Sequence, residues 1–197
     1  IQAYLGCPLK YRFQYIDRIP RPWRVAAMAF GTSIHAAVEW FHRERLDDRK
    51  PTVEKVIGVF EADWYAQNLE PLVFPAKESQ VSLTEKGSQM IQLYVEESDS
   101  KLPREIEQRF ELDLSDPETG EMIEVRLRGY IDLVEEDGTL VELKTAARSI
   151  ERGDLERHLQ LSTYALVLFL LHGSIPQLRL DQLLKTKTPR LERHRTT

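Results

Sequence analysis

Residues 129–146 read GYIDLVEEDGTLVELKTA, two runs of alternating apolar and polar residues around a turn signal. Ile131 and Leu133 alternate with Tyr130 and Asp132, and Val141 and Leu143 alternate with Glu142 and Lys144, the period of two of a half-buried strand. Glu136-Asp137-Gly138 predicts a hairpin turn between them. A two-residue loop at Asp137-Gly138 would set Asp132 opposite Leu143, whereas a three-residue loop with Gly138 in the left-handed conformation sets it opposite Glu142. The second register is preferred, because it gathers Ile131, Leu133, Val141 and Leu143 on one buried face. Asp132, Glu142 and Lys144 then share the other.

Two carboxylates and an amine so placed suit metal-assisted phosphodiester hydrolysis. Asp132 and Glu142 offer the hard oxygen ligands that Mg2+ or Mn2+ prefers. Such an ion polarises phosphoryl oxygens and lowers the pKa of a bound water. Lys144, about 7 Å along the strand from Glu142, can orient that water or stabilise charge on the phosphorane. A salt-bridge cluster on an exposed sheet face accounts for the same three residues equally well.

Working outward, Ile106, Phe110, Leu112 and Leu114 alternate with charged residues, and after SDPETG the odd positions from Ile123 to Leu133 are apolar or small. This predicts a meander leading into the hairpin, with Glu107 facing away from the core. Arg126 and Arg128 share the polar face with Asp132; they suit phosphate positioning, and cross-strand salt bridges suit them as well. Residues 155–172 form a helix with a broad apolar surface, carrying Gln160 and Tyr164 one turn apart. Residues 176–188 read as a final strand with an exposed basic end. Before the meander, helices are expected over 31–46, 52–68 and 83–97. The first carries His35, Glu39 and His42 on a polar face, a spacing that could make a zinc site, although exposed polar positions explain Glu39 and His42 more simply. Residues 1–17 open helically around Cys7-Pro8, with Tyr4, Tyr11 and Tyr15 as core candidates, and Pro20 and Pro22 enforce an extended connector.

Composition bounds the reading. The 197 residues, 42% hydrophobic and 30% charged, are enough for one domain with a substantial core. The single cysteine, Cys7, excludes an internal disulfide and fits a reducing compartment, so a cytoplasmic location is expected. No apolar run reaches the ~18 residues of a membrane span, and no signal peptide opens the chain. The chain begins without methionine and is expected to be a fragment of a longer one. Net charge is −5, which argues weakly against a nucleic-acid partner, yet residues 10–24 and 185–195 each hold five basic residues against one acidic. Those runs become a phosphate-binding footprint only if both border one acidic, metal-binding cleft.

The series Gly31 and His35 in GTSIH, Glu107, Gly129 to Asp132 in GYID, Glu142 to Lys144 in ELK, and Gln160 with Tyr164 in QLSTY resembles, in order, the RecB-like branch of the PD-(D/E)XK nuclease superfamily. That branch includes helicase-associated nuclease domains and CRISPR-associated exonucleases. The resemblance implies an α/β fold with a restriction-endonuclease-like core: a central mixed sheet flanked by helices in one domain over residues 1–197, with a helical segment, 47–103, inserted before the strands. It implies His35, Asp132 and Glu142 as metal ligands with the backbone carbonyl of Leu143 as a fourth, and Lys144 as the catalytic lysine. Gln160 and Tyr164 would align the DNA strand or the site, and Glu107 would serve the metal's outer shell. Glu39 and His42 are left as surface residues. The implied activity is metal-dependent cleavage of single-stranded or frayed DNA ends, alongside helicase, recombination or CRISPR adaptation proteins. A catalytically idle DNA-binding or scaffolding subunit is the alternative. Many relatives bind a 4Fe-4S cluster through a CP-x-x-Y cysteine and three C-terminal cysteines. Here Cys7-Pro8 and Tyr11 match, so Cys7 is a candidate ligand only if a cysteine-bearing tail follows Thr197; otherwise it is a core residue.

Overall fold

The computed structural model describes residues 2–98, 102–116 and 118–196. Pro117, in the expected turn, and residues 99–101, in the expected helical segment, lie outside the described residues, as do Ile1 and Thr197. The chain opens with helices α1 (Gln2–Gly6) and α2 (Pro8–Tyr11) and a π-helical turn, Arg12–Ile16. None of these buries a residue. Tyr4 and Tyr15 are 53% and 49% exposed and Tyr11 is only half-buried, so the opening tyrosines are not core as expected. Cys7 is likewise exposed, and its sulfur accepts the Lys10 amide as the cap of α2.

Strand β1 (Arg24–Val25) leads into α3 (Ala26–Leu46), followed by α4 (Val53–Gln67), strand β2 (Leu72–Val73), which pairs with β1 in parallel, and α5 (Gln80–Glu96). The buried positions of α3 run Ala26, Ala29, Phe30, Ser33, Ile34, Ala37, Val38, Phe41, His42, alternating steps of three and one without a break, which keeps them on one helical stripe. His42 therefore lies on the core stripe and is 6% exposed, not a surface residue as the sequence reading had it. Its Nε2 lies 2.8 Å from the Tyr94 hydroxyl of α5. A Cβ at Gly87 would overlap the Phe60 ring, so this glycine lets α4 and α5 close onto one another.

The main sheet has five strands in sequence order: β3 (Pro103–Ser115), β4 (Met122–Glu135), β5 (Leu140–Ala146), β6 (Leu178–Leu184) and β7 (Arg190–Arg195). All neighbours pair antiparallel except β5 and β6, which are parallel and joined through α6 (Arg152–Leu155) and α7 (Leu159–His172). Such a parallel step needs a helical crossover, so the sheet is mixed and carries helices on both faces. The basic end of the expected strand, residues 185–188, lies in the turn after β6, and a further strand, β7, follows it as the edge of the sheet. Side chains alternate on β5 and β6: Leu140, Leu178 and Leu180 pack with α7, and Leu143 and Leu183 pack with α3, α4 and α5. Together these features give the expected α/β, restriction-endonuclease-like core. Among the described residues, no helix is long and apolar enough to cross a membrane.

Burial holds the His42 pKa down at about 3, with the charges of Arg45 and Arg179 adding to the effect. An unfolded chain takes up this proton near pH 6.5, so the stability that neutral His42 contributes is complete above that pH and lost as pH falls towards 3. Between pH 7 and pH 5 the loss amounts to about 2 kcal/mol. Urea unfolding at the two pH values should show a decline smaller by about that amount in His42→Phe than in wild type. Equal declines would mean that His42 titrates normally in the fold.

Candidate active site

The β4–β5 turn takes the three-residue form. Glu135 N–H donates to the Thr139 carbonyl, Gly138 has φ +85°, and the register pairs Leu133 with Val141 and Val134 with Leu140. Continued, it sets Asp132 opposite Glu142. Ladder pairing, however, stops at Leu133. The next amide in the ladder, Leu143 N–H, donates instead to Asp132 Oδ2 at 2.8 Å. A carboxylate can reach a neighbouring strand's amide only by lying edge-on between the strands. Here β4 and β5 part.

Strand β3 responds at the same level. Ile106 pairs with Leu133 and Gln108 with Ile131, while Glu107 between them has φ +50°. A left-handed glutamate in mid-strand costs roughly 1–2 kcal/mol. The turn lets adjacent residues Ile106 and Glu107 line one cleft, which regular alternation forbids, and Asp132 and Leu133 do the same opposite them. His35 and Glu39 close this cleft, a cavity of about 20 Å³ with room for a water-sized group. His35 Nδ1 lies 3.8 Å from Asp132 Oδ2. One part of the expected geometry therefore changes. Asp132 leaves the polar face of its strand and turns edge-on into the gap on the α3 side, still close enough to Glu142 to raise its pKa.

Glu142 projects towards α7 and is only 1% exposed. It is ion-paired with Lys144, and its Oε2 lies 3.0 Å from the Tyr164 hydroxyl. That hydroxyl also lies 2.7 Å from the Tyr130 carbonyl and accepts from Gln160 Nε2 at 2.7 Å. With one proton for two acceptors, it joins the backbone of β4 to the side chain of β5. Two glycines make the arrangement possible. A Cβ at Gly31 would stand 3.1 Å from Thr145 Oγ1, so α3 crosses close over β5 beside Lys144. A Cβ at Gly129 would stand 2.3 Å from the Phe110 ring tip, and that ring meets Tyr164 edge-on at 6.0 Å. Phe110 and Thr145 thus support the site; the sequence signal for both was a glycine that a bulkier residue could not replace.

The electrostatics are those of crowded, buried acids. Burial raises the pKa of Asp132 and, with Asp132 beside it, that of Glu142. Burial and then Asp132 push Glu107 up to about 7. His35 is lowered by burial and Lys144, which keeps its lone pair available. His158, the cap of α7, is lowered by burial and then by Lys144; nothing in the sequence had marked it as a neighbour of the site. Four carboxylates, Glu39, Glu107, Asp132 and Glu142, thus face one another with Lys144 and Arg43 as compensation. This oxygen-rich set fits a hard divalent cation. As the side chains stand, no group of three His, Cys, Asp or Glu among the described residues is arranged to hold one. Lys144 and Tyr164 occupy Glu142, and the Leu143 amide occupies Asp132.

Other candidates lie apart. Arg126 bonds Asp113 and Glu111, and Arg128 pairs with Glu111, in an exposed ladder about 13–20 Å along the strand from Asp132. His42 lines the same cavity as His35 and Glu39, with its Nε2 facing the Tyr94 hydroxyl, and the three are not arranged to hold a metal. Cys7 is the chain's single cysteine, so these residues do not build an iron–sulfur cluster.

The model of the PD-(D/E)XK nuclease superfamily matches residues 1–190. No curated protein matches the sequence. A solved structure from Eubacterium rectale, provisionally named an exonuclease, is similar at TM-score 0.49 and 11% identity, over 93% of this chain and 76% of that one.

Replacing Gly129 with alanine should force Phe110 from beneath Tyr164, at a cost of about 1–3 kcal/mol in unfolding free energy. Adding Phe110→Leu should restore part of that loss. An additive or worse double variant would show that the contact does not support the site.

Proposed function

The chain belongs to the PD-(D/E)XK nuclease superfamily, and from that premise we propose that it is a Mg2+- or Mn2+-dependent deoxyribonuclease acting on single-stranded or frayed DNA ends. The observation that supports this reading is the parted hairpin, where Asp132 takes the Leu143 amide and the neighbouring Glu142 is ion-paired with Lys144. Residues 1–197 act as one nuclease domain, with the helices of 47–103 inserted before the strands.

Asp132 and Glu142 would hold the ion, with His35 and the Leu143 carbonyl completing the set. Once bound, it supplies positive charge to the phosphoryl oxygens and acidifies a water. The chain's own groups do the rest. Lys144, held by Glu142, places an ammonium where it can orient the attacking water and receive negative charge from the phosphorane. Tyr164 fixes the Glu142 carboxylate, and Gln160 fixes Tyr164, so the acid keeps one orientation while Lys144 moves. Glu107 lies across from Asp132 and serves its outer shell. A role in DNA repair, recombination or CRISPR adaptation in the cytoplasm follows from the resemblance alone.

End-labelled single-stranded, duplex and circular DNA, incubated with Mg2+, Mn2+ or chelator, tests the proposal. Linear strands should be degraded only with metal, and Glu142→Ala and Lys144→Ala should each lose about 100-fold or more. His35→Ala should need about tenfold more metal. Variants that cut like wild type would refute the assigned centre, and degraded circles would refute action at ends.

A further inference from the structure

The opening segment exposes a run of apolar side chains, Leu5, Leu9, Phe13, Ile16 and Ile19 among them. Phe13, Leu9 and Ile19 line an open groove of about 400 Å³ together with Lys10, Gln14 and Arg21. Soluble proteins seldom leave such a surface uncovered. Its charge identifies the occupant: residues 10–24 hold five cations against Asp17 in a chain of net charge −5. Arg12 takes Asp17, and Arg24 turns away to Gln67 and Glu70. Arg21 meets only the neutral Gln14 across the groove, and among the described residues Lys10 has no carboxylate in ion-pairing range.

Aromatic surface interleaved with cations suits a nucleic-acid single strand, whose bases stack while its phosphates pair. The segment also feeds directly into α3. His35 lies nine residues from the start of that helix, roughly 14 Å at the helical rise. We propose that residues 8–22 form an accessory subsite for single-stranded DNA, with Phe13 as the stacking surface and Lys10 and Arg21 as phosphate contacts. It rests on the nuclease reading for its substrate.

Binding can be measured apart from cleavage, using the full chain carrying Glu142→Ala, in chelator, with a labelled oligothymidylate of about 20 nucleotides. Phe13→Ala should weaken binding about five- to 100-fold. Lys10→Ala and Arg21→Ala should each reduce the slope of log affinity against log salt by about 0.7. None of the three residues is buried, so thermal stability should stay at the parent value. Photocrosslinking of the wild-type chain should fall within residues 8–22. Unchanged affinity and salt slope, or crosslinks confined elsewhere, would overturn the proposal. Unchanged DNA binding with lost self-association would identify a protein-docking surface instead. Cleavage by the Glu142→Ala parent in Mg2+ would refute the nuclease centre without touching this result.

Discussion

The hydrogen bond from the Leu143 amide to Asp132 Oδ2, 2.8 Å long, replaces a rung of the β4–β5 ladder, and the site depends on that replacement. A regular ladder would bond the amide to a carbonyl and leave Asp132 pointing away from the sheet. Satisfying a main-chain donor with a carboxylate keeps the backbone paired, since an orphaned buried amide would be costly. It also opens the sheet where a catalytic centre needs access. Glu107, left-handed opposite Asp132, shows that the third strand bends at the same level.

Around this opening the protein concentrates charge that it cannot solvate. Burial raises the pKa of both Asp132 and Glu142, Glu39 adding to the first and Asp132 to the second, while the Leu143 amide, Lys144 and Tyr164 offset the rise. Such a set disfavours full ionisation and so favours a cation. The surroundings are correspondingly rigid. Phe110 lies over Gly129 and against Tyr164; Tyr164 holds Glu142; Gly31 lets α3 bring His35 over β5. Local strain at Glu107 is held by two well-packed apolar clusters on either side of the sheet.

Much of this was legible in the sequence. A glycine suited to positive φ indicated the hairpin register, although Ile131 and Leu143, expected on one buried face, pack in different clusters, and the 3.6-residue period placed α3, α4, α5 and α7 to within a few residues. What escaped was information that side-chain type does not carry. Polarity made His42 look exposed although its spacing from Phe41 and Val38 sets it on the core stripe. Aromatic composition made Tyr4 and Tyr15 look buried, because a sequence does not say whether a short helical segment finds a body to pack on. The turn of Asp132 towards α3 breaks strand alternation and has no periodic signature at all. The polar 190–195 segment forms an edge strand, where only one side needs a partner and charged residues are tolerated.

The central claim is that the gap between β4 and β5 is where a divalent ion binds. Paramagnetic broadening of backbone amide signals by substoichiometric Mn2+ reads this location directly. The account predicts that the amides of His35, Asp132, Glu142, Leu143 and Lys144 broaden first, and that Asp132→Asn abolishes the effect. Selective broadening at a surface cluster elsewhere, or none at these amides, would contradict it.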